Sequence, residues 1–113
     1  MVQNRNKLIE LFIGNISNSV VHRILENAVA KQLMADKYRK ELITSFELAK
    51  RYREKINPVN KSLSEKDALY IRNKIINKVK AELMTRISKG YKNINLNLID
   101  GFIDTALKDT NIE

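Results

Sequence analysis

Two short units combine cations with an aromatic ring: Lys37-Tyr38-Arg39-Lys40-Glu41 and Arg51-Tyr52-Arg53-Glu54-Lys55. They lie fourteen residues apart, two heptads, so on one helix both return to nearly the same face. Lysine and arginine bind phosphate, and an exposed tyrosine can stack on a base. The chemistry that such units point to is polyanion recognition.

A helical wheel divides the units. Tyr38 and Tyr52 fall on an apolar seam, which favours packing over base stacking. Lys37, Lys40, Thr44, Arg51 and Lys55 form a strip on the far side, with Glu47 and Glu54 at its edge. Lys37 and Lys55 are eighteen residues apart, so the strip is about 27 Å long at 1.5 Å per residue. It can track several phosphates, although a charged helix back turned to water has the same pattern. Arg39 and Arg53 flank the seam and are expected to turn their charged ends outward.

A second polar face follows downstream. Tyr70, Asn73, Lys74, Asn77, Lys78, Ala81, Thr85 and Ser88 share it, and its only acid is Asp67 in the first turn. Lysine, asparagine and tyrosine suit phosphate, sugar and base-edge contacts. The small residues equally admit a neighbouring helix. Arg72 and Arg86, again fourteen apart, fall inside the apolar arc and need anionic partners. Asp100 and Asp104 are candidates, as is a second subunit. Lys89, Tyr91 and Lys92 around Gly90 add a weaker basic-aromatic patch.

Catalytic chemistry finds little support. His22 is the one histidine, and between Val21 and Arg23 it fits a surface or boundary position on a helix. Asp100 and Asp104 are one turn apart, but a cation needs more oxygen ligands than two carboxylates supply. No Walker loop, GxGxxG, HExxH or GxSxG occurs. No enzyme activity, cofactor or metal is expected, and no motif is specific enough to name a family.

The positioning elements follow from composition and period. Three Gly and one Pro in 113 residues favour helices, and the length fits a single helical domain over 1–113. Cysteine is absent, which removes disulfides, thiolate nucleophiles and Cys-zinc sites. No apolar run reaches the roughly 20 residues of a membrane span, so a cytoplasmic protein with no membrane partner is expected. Net charge is +8, unevenly spread. Residues 97–113 carry one base and four acids, whereas the remaining 96 carry 20 bases and 9 acids, a net of +11. A basic body with an acidic last helix suggests attraction to a polyanion, and a solubilising surface charge has the same pattern.

A first helical segment is expected from about Gln3 to Ile13, interrupted by Gly14-Asn15. A second, capped by Ser17 or Ser19, carries Val20, Val21, Ile24, Leu25, Ala28 and Val29. A third runs from Ala35-Asp36 to Ile56, either continuous with the second or bent from it. Its Tyr38, Leu42, Ser45, Ala49, Tyr52 and Ile56 follow a 4-3-4-3-4 spacing, widened by Phe46. Asn57-Pro58 ends it. Ser64 caps a fourth from Glu65 to about Lys89 with an Ile71, Ile75, Val79, Leu83, Ile87 ladder. Gly90 supplies the left-handed stop, and an extended connector leads to a last helix, Asn97 to Lys108, capped by Asn97.

The expected fold is all-α, four or five helices in an antiparallel bundle or an extended helical hairpin. The leading functional expectation is a non-enzymatic nucleic-acid-binding or nucleoprotein-assembly protein, DNA or RNA, held by Lys/Arg–phosphate contacts. The alternative is a helical protein–protein module, a homodimer or a small subunit. Its candidate interface is Tyr38, Leu42, Phe46, Ala49 and Tyr52 with Arg72 and Arg86.

Overall fold

The computed structural model describes residues 4–57 and 61–112. Asn4 opens α1 (Arg5–Ala28) by accepting a 2.8 Å bond from the Asn6 backbone N–H. Leu8, Ile9, Phe12, Ile13, Ile16, Val20, Val21, Ile24 and Leu25 are all buried, which takes up most of the helix circumference. A helix apolar on so many sides belongs in the middle of a bundle, and α1 is the element on which the others pack. The expected break at Gly14-Asn15 is absent, and helix runs through both residues. Glycine in a helix interior costs about 1 kcal/mol, and burial of Phe12, Ile13 and Ile16 around it outweighs that. Ser17 and Ser19 accordingly lie inside the helix and cap nothing.

The chain reverses over Val29, Ala30 and Lys31, and α2 (Gln32–Ile56) returns antiparallel along α1. The expected second and third segments are therefore separate helices, and α2 starts before Ala35. Tyr38, Ser45, Ala49 and Ile56 bury the seam against α1, with Leu42, Phe46 and Tyr52 half-buried beside it. Ser45 and Ala49 are small enough for close approach along the whole pair. The stop expected at Asn57-Pro58 is found, since α2 ends at Ile56 and Asn57 is extended. Pro58 itself and the start expected at about Gln3 lie outside the described residues.

Ser64 caps α3 (Glu65–Ser88) by accepting from the Asp67 backbone N–H at 3.1 Å. Ile71, Ile75, Val79 and Leu83 are fully buried on one side, whereas Ile87 is exposed. Gly90, at φ 100°, ends α3: its N–H donates to the Ile87 carbonyl and that of Tyr91 to the Arg86 carbonyl. The connector then forms a short 3-10 turn (Leu96–Leu98) ahead of α4 (Ile99–Asp109). The cap falls on Asn95 and not Asn97: the Asn95 side chain accepts from the Asn97 N–H at 3.0 Å. Asn111, at φ 58°, closes α4, and the Ile112 N–H donates to the Leu107 carbonyl.

The fold is thus an all-α bundle of four helices among the described residues, 42 × 24 × 23 Å. α3 runs parallel to α1, with Arg5 paired to Asp67 near both N-termini. α4 returns antiparallel and packs on α3 and α1. α2 barely touches α3 or α4 and rests almost entirely on α1. Both flanks of α2 are open as a result.

Candidate nucleic-acid interface

The flank of α2 that faces α3 is a polar trough. At its centre Asn18 of α1 borders two adjoining hollows, one against Lys40, Glu41, Thr44 and Ser45 of α2 and the other against Lys78, Ala81, Glu82 and Thr85 of α3. Gly14 and Asn15 continue the floor toward the N-terminus of α1. Gly14 and Asn18 are both exposed, and a Cβ on Gly14 would meet nothing within 4 Å. The Asn18 amide donates to Ser45 Oγ at 3.0 Å, and the Asn15 amide donates to the Leu11 carbonyl at 2.8 Å.

Each rim carries cations that no described acid engages. Lys37, Lys40, Arg51 and Lys55 of α2 are exposed, as are Lys74 and Lys78 of α3. Among the described residues none of these six takes part in an ion pair, whereas Arg5, Arg39, Lys50, Arg72 and Arg86 all do. Lys55 lies 6.0 Å from the centre of the Tyr52 ring and Lys74 5.7 Å from that of Tyr70. Tyr70 is 44% exposed, and its hydroxyl donates to Glu10 at 2.7 Å. That bond to a carboxylate raises the phenol above its usual pKa. Asn73 and Asn77 are exposed on α3 and make no side-chain hydrogen bond among the described residues.

Acids border the trough as well. Glu10, held by Tyr70, marks one end. In the two central hollows Glu41 accepts from His22 Nε2 at 2.9 Å, and Glu82 accepts from Arg86 Nε at 2.9 Å. His22 is 8% exposed and stacks on Tyr38 with ring centres 5.9 Å apart, so it is buried deeper than the surface or boundary position expected of it. Burial drives its pKa below the ordinary histidine value, against the pull of Glu41. The imidazole is therefore neutral at pH 7 and serves as a hydrogen-bonded tie between α1 and α2.

Arg53 departs from expectation most clearly. It turns inward, 7% exposed, and donates to Asn57 Oδ1 at 2.6 Å and to the carbonyls of Lys61 and Asn111 at 2.9 and 3.1 Å. The end of α2, the approach to α3 and the turn after α4 meet there, and their carbonyl oxygens attract a fork of donors that no helical wheel contains. Loss of hydration lowers the Arg53 pKa. Arg39 does turn outward, where it pairs with Glu26.

The proposed interface residues find their partners within the chain. Tyr38 and Ala49 are buried against α1, while Arg72 pairs with Asp104 of α4. Arg86 pairs with Glu82 and lies over the Tyr91 ring at 5.3 Å. Leu42 and Phe46 border the other flank of α2, an apolar hollow of about 170 Å³ shared with Ile43, Val20, Phe102 and Ala106. The wheel of α2 separated the rim lysines correctly but carried no sign of the floor. Gly14 was legible only as a loop signal, and nothing in the sequence singled out Asn18. The chain matches no protein-family model, no curated protein and no solved structure.

Proposed function

We propose that this chain is a small, basic, non-enzymatic helical protein that binds nucleic acid through Lys/Arg–phosphate contacts. The observation that carries the reading is the set of six exposed, acid-free cations, Lys37, Lys40, Arg51, Lys55, Lys74 and Lys78, on the two helices that border one trough. Desolvated or paired cations have little left to offer a phosphate, whereas free ones release counterions from the polyanion on contact. Binding of a fluorescent mixed-sequence oligonucleotide, followed by anisotropy across a salt series, tests it. Affinity should fall steeply with salt, at a slope near −0.7 per phosphate contacted for a single strand. If no binding of DNA or RNA is detected at low salt, the reading is dropped.

A second reading, a helical protein–protein module, draws on the apolar hollow between α2 and α4. Ile43, 51% exposed, stands at its edge beside Leu42, Phe46 and Phe102. The heptad seam itself is spent on α1, so association would use this hollow. Sedimentation of the wild type and Ile43→Glu decides it: a dimer that dissociates on substitution favours the module, and a monomer in both cases removes the homodimer.

A further inference from the structure

The floor of the trough says more about the ligand than the rims do. We infer that the trough between α2 and α3 is a single-strand site, with bases turned toward Gly14 and Asn18 and phosphates on the rim lysines; this rests on the nucleic-acid reading above.

Width is the first argument. Packed helices lie about 8–10 Å apart, so α2 and α3, both seated on α1, have axes no more than about 20 Å apart. Helices with side chains are about 10–12 Å across, which leaves a gap of less than about 10 Å. A duplex, whose major groove alone is about 12 Å wide, cannot enter; an extended strand can.

Polarity is the second argument, and it sets the orientation. On the floor, the Asn15 and Asn18 amides donate into the protein, to the Leu11 carbonyl and Ser45 Oγ. Their carbonyl oxygens keep acceptor capacity that repels phosphate and suits the amino groups of bases. The cations sit on the rims, where phosphates of an inward-facing strand would run. Tyr70 adds a ring fixed at one end by its bond to Glu10.

Space is the third. On the exposed line of α1, the stretch from Gly14 to Asn18 itself carries no acid; Glu82 of α3 lines the same hollow but is engaged by Arg86, and Glu41 of α2 lines the adjoining one but is engaged by His22. Glycine leaves this floor open where any side chain would stand in it. With 1.5 Å per residue, this window is about 6 Å long, room for about two nucleotides at 3.4 Å each. Flanking phosphates would reach Arg51 and Lys55 on one side and Lys37 and Lys40 on the other.

The test is Gly14→Leu, which fills the floor and changes no charge. Its melting temperature should equal or exceed that of the wild type, because leucine is the better helix former. Its affinity for a mixed-sequence single-stranded oligonucleotide should fall about tenfold, the scale of one lost base contact. A hairpin duplex of equal charge should bind the wild type more weakly than the single strand and be indifferent to the substitution. Ala81→Leu, on the α3 wall, repeats the block if Gly14→Leu misfolds. Unchanged single-strand affinity in a folded blocking variant overturns the inference, as does a duplex bound as tightly as the single strand. In both cases a steep salt dependence would leave the phosphate-binding reading standing. Absence of binding to every oligonucleotide at low salt would remove both.

Discussion

The two open flanks of α2 differ in chemistry although one helix builds a wall of each. Toward α3 it presents Lys40, Thr44 and Ser45, with Glu41 held by His22, over a polar floor. Toward α4 it presents Leu42, Ile43 and Phe46, with Glu47 and Asp109 at the rim and Arg23 over the Phe102 ring at 4.5 Å. The helices that bound them differ in charge as well. α2 holds 7 bases and 4 acids and α3 holds 6 and 3, whereas α4 holds 1 base and 3 acids. The α4 acids cannot neutralise the trough, because α4 packs on the other side of α3 and its Asp104 is engaged with Arg72. Keeping the acidic helix away from the trough leaves the rim lysines without acidic partners from α4.

The contrast can be broken most severely at Arg53, which ties the end of α2 to the end of α4. Arg53→Ala leaves the Lys61 and Asn111 carbonyls without their donor and should cost about 3 kcal/mol, measured by urea or thermal unfolding. A change within about 0.5 kcal/mol would mean that the width of the apolar flank is set elsewhere. Next in size is charge reversal across the trough. Lys40→Glu with Lys78→Glu should lower oligonucleotide affinity by one to two orders of magnitude, roughly 1.4–2.8 kcal/mol, and flatten the salt dependence. Arg23→Glu on the apolar flank should leave that affinity nearly unchanged, which makes the pair of measurements a test of sidedness.

A smaller, stabilising effect is expected at the floor. Gly14→Ala adds a Cβ into open space within a helix and should stabilise the fold by about 0.5–1 kcal/mol. A destabilised variant would mean that this stretch of α1 is not regular helix in solution. The subtlest probe is pH. The His22 pKa is lowered in the fold, so the unfolded chain takes up the proton first as pH falls through the ordinary histidine range near 6.5. Stability is therefore whole above that range and declines below it. His22→Gln should flatten the decline between pH 7 and 5 in denaturant titrations. An identical pH profile in both proteins would assign the decline to other groups.

Much of the fold was legible because its signals are local. The 4-3-4-3-4 seam on α2, the Ile71–Leu83 ladder, the Ser64 cap and the Gly90 stop each depend on residues within a turn or two. The misreadings share one cause, which is that distant contacts outweighed a local preference. Gly14-Asn15 has the composition of a turn, yet burial of its neighbours on three partner helices keeps it helical. Val29-Ala30-Lys31 has no turn composition, yet the chain reverses there, because only reversal lays the α2 seam on α1. Asn97 looked like a cap by spacing, but Asn95 sits where the 3-10 turn begins.

The candidate site divides in the same way. Helical period was enough to put Lys37, Lys40, Arg51 and Lys55 on one strip and Lys74 and Lys78 on another, since azimuth along a helix depends on residue spacing and nothing else. The heptad spacing likewise made the inward turn of Tyr38 and Tyr52 readable. Whether two strips on different helices face one trough depends on how those helices pack, and no spacing within either helix contains that. The same holds for the burial of Arg53 and His22 and for the pairing of Arg72 with Asp104, where each partner lies far away in sequence. Local period settles which way a side chain points from its own helix, and only the packing of α2 and α3 on α1 settles what it points at.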